Sequence, residues 1–142
     1  MPLQRLRIAG YRSIRDLRFE FDDVTLIVGP NGCGKTNLYR SLYLAHRAAE
    51  GRLARALAEE GGMPSVLWAG ERRKGPVRLI LEVQLEDLEY RLACGLPALR
   101  GAFMLDPEVK EEQVWYRDGP RRLCMMERPP VRRRSLFRKH RR

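Results

Sequence analysis

The eight residues Gly29-Pro30-Asn31-Gly32-Cys33-Gly34-Lys35-Thr36 constrain this chain more than any other segment. They follow the β-branched, almost wholly apolar run Val24-Thr25-Leu26-Ile27-Val28. They precede a stretch with Leu38, Leu42, Ala45 and Ala49 at helical spacing. Strand, glycine-rich loop and helix in that order, with the spacing Gly-x-x-x-x-Gly-Lys-Ser/Thr, form the pattern of a phosphate-binding loop. In random order this composition yields the pattern only about once in a thousand chains.

Each position has a mechanical reason. Gly29, Gly32 and Gly34 let the backbone adopt conformations closed to residues with a Cβ, so that successive N–H groups turn inward. Pro30, Asn31 and Cys33 fill the variable positions between them. The helix starts beneath the phosphates, where its unsatisfied N–H groups and positive dipole end favour anions. Lys35 is placed to reach the β and γ phosphates as the catalytic lysine of the loop. The Thr36 hydroxyl is the expected ligand of a Mg²⁺ ion bridging the same oxygens. Two readings stand for Cys33: a small side chain at a variable site, or a thiol whose pKa the helix N-terminus lowers.

Around this loop the chain alternates in short runs. Leu3 to Ala9 reads as a half-exposed strand, Gly10-Tyr11-Arg12-Ser13 as a turn, and Leu17, Phe19 and Phe21 as the buried face of a second strand. Val24–Val28 is expected to be a strand covered on both faces, as in the middle of an α/β sheet. A helix is expected over about 35–50 and another over 52–60, ended by Gly61-Gly62 and Pro64. The runs 77–85 and 88–96 form an expected antiparallel hairpin, although Glu86-Asp87 is not a favoured two-residue turn. Val114-Trp115-Tyr116 reads as a further strand. From Pro129-Pro130 onward arginine dominates and disorder is expected.

The formal charge of +10 is unevenly spread. Residues 1–119 carry 18 Lys+Arg against 17 Asp+Glu, and residues 120–142 carry ten basic residues against Glu127 alone. The division predicted is therefore a nearly neutral domain, 1–119, and a basic, disordered tail, 120–142. Arg132-Arg133-Arg134 and Arg138-Lys139-His140-Arg141-Arg142 bracket Leu136-Phe137, a composition suited to DNA or RNA phosphates and also to a merely solvated end. No run approaches the roughly 20 apolar residues of a membrane span, so no membrane partner is expected. Arginines near the start argue against a signal peptide. Cys33, Cys94 and Cys124 lie far apart without zinc spacing, which favours a reduced, cytoplasmic protein.

The order of the first fifty residues is more specific than the loop alone. Gly10-Tyr11-Arg12-Ser13-Ile14-Arg15-Asp16, then Phe19-Glu20-Phe21, then Leu26 through Leu38 resembles the N-terminus of ABC-type ATPase heads of the RecF, SMC and OLD-like AAA ATPase kind. The resemblance implies an α/β P-loop NTPase fold: the N-terminal lobe of such a head, with an antiparallel β subdomain formed by 77–96. It implies ATP and Mg²⁺ as ligands. Arg12 and Ser13 would approach the nucleotide from the turn, and Asn37 would follow the loop. It also implies hydrolysis in a head-to-head homodimer, where the loop of one head meets a Ser-Gly-Gly signature on the other.

That signature and a Walker B strand ending in Asp-Glu are not found, so the lobe is expected to be incomplete. With 24 arginines against four lysines, 120–142 reads like the product of a frameshift in GC-rich DNA. Two runs imitate Walker B. Leu79-Ile80-Leu81-Glu82 continues as an alternating strand, whereas Phe103-Met104-Leu105-Asp106, followed by Glu108, would suit a compact NTPase or small kinase with Asp106 on Mg²⁺. Gln113 has two readings, a metal-contacting glutamine of a connecting loop or an ordinary strand residue, the second preferred, and His46 and His140 have no catalytic partner in view. A third possibility is a small basic nucleic-acid-binding protein whose phosphate loop is a relic.

Overall fold

A computed structural model describes residues 2–70, 77–97 and 107–128. The elements in chain order are β1 (Leu3–Tyr11), β2 (Ile14–Glu20), α1 (Lys35–Ala49), α2 (Leu53–Glu59), α3 (Met63–Val66), β3 (Leu79–Leu85), β4 (Leu88–Gly95), β5 (Glu108–Asp118) and β6 (Arg121–Arg128). The strands form one sheet in the order β2-β1-β3-β4-β5-β6. Every pairing within it is antiparallel.

The alternation in the sequence decides which face of the sheet is dry. Leu6 and Ile8 of β1, Leu79 and Leu81 of β3, and Leu92 and Cys94 of β4 point to one side and are buried. The three helices close that side, contributing Leu44, Ala48, Leu53, Ala56, Leu57, Met63 and Val66 to a single core. The opposite face is a ladder of charge. Arg7 bonds Asp16 (2.9 Å) and Glu82 (3.2 Å); Arg91 meets Glu82 (3.4 Å) and Glu111 (3.6 Å); Arg78 also meets Glu111 (3.3 Å). One solvated face and one packed face is the usual state of an antiparallel sheet.

Two turns carry unusual backbone. Gly10 has φ +70°, and a Cβ there would fall 2.0 Å from the carbonyl oxygen of Arg78, so β1 and β3 approach through a position only glycine fills. At the expected hairpin, Leu85 pairs with Leu88 around Glu86-Asp87, and Glu86 accepts φ +28° to make the turn. The strand pairing overrides the poor local preference.

The helix over 35–50 and the piece after Gly51 form as expected, but the buried stripe of α1 is rotated from the expected one. Leu38, Ser41, Leu44, Ala45 and Ala48 are buried, while Leu42 is half-buried and Ala49 exposed. Ser41 enters the stripe at no polar cost because its hydroxyl donates to the Leu38 carbonyl at 2.6 Å.

Two expectations fail. Val24–Val28 is not a strand covered on both faces. It lies outside the sheet, with Val24 at 89%, Leu26 at 83% and Val28 at 77% exposure. An apolar strand needs hydrogen-bonding neighbours at both edges and layers on both faces. Every described strand pairs antiparallel within the one sheet and none of them pairs with this segment. The second correction concerns 120–142. Residues 121–128 are β6, paired along β5 from Asp118↔Arg121 to Glu112↔Arg128. Arg122 offsets Glu89 (2.8 Å) on β4, and Arg128 offsets Glu112 (3.3 Å) on β5. Their charge belongs to the sheet rather than to a tail. The basic clusters from Arg132 onward lie outside the described residues.

Candidate functional site

The glycine-rich loop leads directly into α1. Gly34 is the N-cap residue, at φ +100°, and Gly32 sits at φ +83°, both in the left-handed region where a Cβ is costly. The loop folds back on itself. A Cβ added at Gly29 would stand 2.8 Å from Cys33 Sγ, and the Cys33 N–H points to the Pro30 carbonyl at 3.4 Å.

Lys35 closes the curl. Its ammonium donates to the carbonyls of Gly29 (2.5 Å) and Pro30 (2.7 Å) and lies 3.7 Å from Cys33 Sγ. No described strand engages Asn31, Gly32 or Gly34. The first intrahelical bond here runs from Leu38 N–H to the Gly34 carbonyl at 3.1 Å, so the N–H groups of Lys35, Thr36 and Asn37 have no acceptor within the helix. The loop thus ends in a lysine whose ammonium is held by the loop's own carbonyls at the head of α1.

The turn between β1 and β2 abuts this loop. Asn37 Nδ2 donates to Ser13 Oγ at 2.8 Å, and a Cβ on Gly34 would come within 3.7 Å of the same oxygen. The structure therefore brings Ser13, Asn37 and the end of the loop together. Arg12 is directed elsewhere. Its Nε and Nη2 donate to Glu60 Oε2, at the end of α2, at 3.0 and 2.8 Å. The Tyr11 hydroxyl donates to the same oxygen at 2.7 Å. Burial works against the Arg12 charge, but the hydrogen bond and charge of Glu60 outweigh it and raise its pKa. Burial, and then the bond to Glu60, push the Tyr11 phenol well above its ordinary value.

Glu60 was missed in the sequence because it lies 48 residues from Arg12 and reads there as one more helix-end carboxylate. The only signal was compositional: a buried-prone Tyr11 beside an arginine needs an acceptor.

The remaining candidates separate from this centre. Glu82 lies mid-strand and is shared by Arg7 and Arg91, as the alternation implied. Gln113 is a strand residue donating to Glu127 at 3.0 Å. His46 faces Glu50 at 3.5 Å on exposed helix. Asp106 and His140 lie outside the described residues, and Glu108 starts β5 with Lys110 at 2.5 Å. Burial pushes the Cys94 thiol up to about 12, making it an inert core residue, whereas Cys33 and Cys124 are exposed. Among the described residues no helix is long and apolar enough to cross a membrane.

Residues 1–54, which include the turn, the loop and all of α1, match the family described as AAA ATPase domain. The chain is 36% identical over 78 residues to the chromosome partition protein Smc of Halobacteriovorax marinus, and 36% identical over 81 residues to that of Myxococcus xanthus. It is 42% identical over 45 residues to the DNA replication and repair protein RecF of Clostridioides difficile. These stretches are 54%, 56% and 31% of this chain but only 6%, 6% and 12% of the respective relatives.

Proposed function

We propose, for a chain whose N-terminal half is that of an SMC/RecF-like AAA ATPase, that the loop Gly29–Thr36 binds ATP with Mg²⁺. The observation that carries this reading is the curled loop with Lys35 folded onto the Gly29 and Pro30 carbonyls. A triphosphate entering the curl accepts from the amides of the loop and of the first turn of α1, and takes the ammonium from those carbonyls. Asn37, through Ser13, holds the first turn of α1 against the β1–β2 hairpin and so fixes the direction in which its amides point.

Thr36 is an exposed hydroxyl in that first turn. No group of three or more His, Cys, Asp or Glu suited to a metal occurs among the described residues. One hydroxyl therefore suits a Mg²⁺ that arrives on the nucleotide and keeps most of its water, supplying charge neutralisation between the β and γ oxygens. The fold this implies is the N-terminal lobe of an ABC-type head. Hydrolysis then calls for a signature sequence and a water-orienting carboxylate from beyond this lobe, with a second head as their natural source. DNA contact through residues beyond Arg128 is proposed only as an accompaniment to nucleotide binding.

The test is equilibrium binding of a fluorescent ATP analogue to the 142-residue chain. Saturable binding that weakens at least tenfold in Lys35→Ala and on removing Mg²⁺ is expected. Equal binding by wild type and Lys35→Ala would remove the loop from the assignment. Phosphate release at steady state that vanishes with Lys35→Ala would instead favour a self-sufficient NTPase.

A further inference from the structure

The helices cover the packed side of the sheet only at one end. Ile8, Leu81 and Leu92, partners across β1, β3 and β4, lie beneath them in the core. Residues opposite one another in a ladder share a face, as do residues two apart along a strand. The same side therefore carries a second row, Phe19-Leu6-Val83-Tyr90-Val114-Met126, which crosses every strand without a charged side chain. A third row, Leu3-Leu85-Leu88-Tyr116-Leu123, follows at the far end. Of these residues only Tyr90 packs against the helix-covered core. Tyr116, Met126 and Leu123 are 38%, 42% and 49% exposed. A contiguous apolar strip left in this state marks a place where something docks.

The rim beyond the third row is acidic. Asp22 and Asp23 follow β2, Glu86 and Asp87 make the β3–β4 turn, and Asp118 ends β5. No ion pair engages them among the described residues, whereas Glu20, Glu82, Glu89 and Glu111 are each paired. Arg121, across from Asp118, offsets one of them at most. Residues 129–142 have the complementary make-up. They carry seven Arg and Lys and no acid, and they set Leu136-Phe137 between Arg132-Arg133-Arg134 and Arg138-Lys139.

We propose that the two bare rows are the docking surface for this chain's own residues 131–142, with Leu136-Phe137 on the apolar strip and the cations that follow along the carboxylate rim. The reach is sufficient. Arg128, where β6 ends, lies on the same side of the sheet, opposite Glu112. From there Leu123 is about 17 Å back along β6, and β4 is about 10 Å across. The segment from Arg128 to Leu136 extends to about 27 Å. A second copy of the chain fits less well. The two rows span on the order of 400 Å², about half of what each partner gives to a standard interface, and a copy would bring the same acidic rim. Tethering supplies an effective concentration of about a millimolar, so modest contacts hold the segment. Nothing in this docking depends on the glycine-rich loop.

The experiment compares methyl NMR spectra of the full chain with those of its Leu136→Ser/Phe137→Ser variant. The Leu85, Leu88 and Leu123 signals are expected to move, while those of Leu44 and Leu57 in the core stay. A synthetic peptide of residues 129–142, at about millimolar concentration, should return them toward their wild-type positions. Adding Asp87→Lys and Asp118→Lys should raise the peptide concentration needed by about fivefold, and salt should act in the same direction. Identical row signals in wild type and variant overturn the proposal. So does a difference that disappears on dilution, which would hand the rows to a second copy. Peptide that works equally well against the reversed rim removes the charge match and the assignment with it. Should the core signals move too, a salt titration of the wild-type chain decides, and row signals indifferent to salt overturn the docking.

Discussion

The two flanks of the glycine-rich loop are held in opposite ways. On its C-terminal side α1 is rooted in the core by Leu38, Leu44, Ala45 and Ala48, and it packs against α2, β1 and β3. On its N-terminal side Val24–Val28 is extended and exposed, without a strand to pair with. Both runs are apolar, and the strand-like one is the more apolar of the two. The difference is one of closure. A helix satisfies its own backbone and asks for cover along one stripe only, whereas a strand satisfies nothing until another strand arrives. The loop is therefore positioned from its helix end.

The comparison can be broken most directly by truncating a leucine on each side. Leu44→Ala empties a fully buried site and is expected to cost about 2–5 kcal/mol in urea unfolding. Leu26→Ala, on the exposed flank, is expected to stay within about 0.5 kcal/mol of wild type. Similar losses for both would mean that Val24–Val28 is packed in solution. Between the flanks, Gly32→Ala meets no neighbouring atom but must hold φ +83°. About 1–2 kcal/mol is expected there, with ATP affinity falling alongside.

A smaller effect distinguishes the strand that leads into the exposed flank. The hydrogen bond and charge of Arg7 hold the Asp16 carboxyl below its usual range despite some burial. A carboxyl lowered in this way contributes stability that is complete above the ordinary aspartate value, near 4, and is lost as pH falls through the lower folded value. At 45% exposure its worth is under about 1 kcal/mol. Asp16→Asn should flatten the acid limb of the stability curve by that amount and leave neutral-pH binding of nucleotide untouched. An unchanged acid limb would show that Arg7 is served by Glu82 alone.

What the sequence made legible was local. The loop, α1, the start of α2 and the β3–β4 hairpin each announce themselves within about twenty residues, because helical periodicity, strand alternation and glycine spacing are short-range signals. What escaped was set by distant partners. Val24–Val28 carries a strand pattern that only other strands can realise. β6 looked like tail because Arg121, Arg122 and Arg128 were counted as excess charge. The carboxylates that meet Arg122 and Arg128, Glu89 and Glu112, sit two strands and one strand away. β5 showed only its aromatic centre, Val114-Trp115-Tyr116, since its first half, Glu108-Val109-Lys110-Glu111-Glu112-Gln113, is polar apart from Val109. At the site, the hydrogen bond from Asn37 to Ser13 joins residues that the sequence named separately, while Arg12 points to a glutamate that no motif marks.

The ladder of ions across the open face of the sheet has a consequence for whatever comes to rest there. Asp16, Arg7, Glu82, Arg91 and Glu111 alternate in sign from strand to strand, and Arg18 and Glu89 reverse the sign along β2 and β4, so no single polarity covers the face. A uniformly charged polymer gains at one residue what it forfeits at the next, and an oily surface strips water from every ion without replacing it. Neither is expected to settle on this side of the sheet.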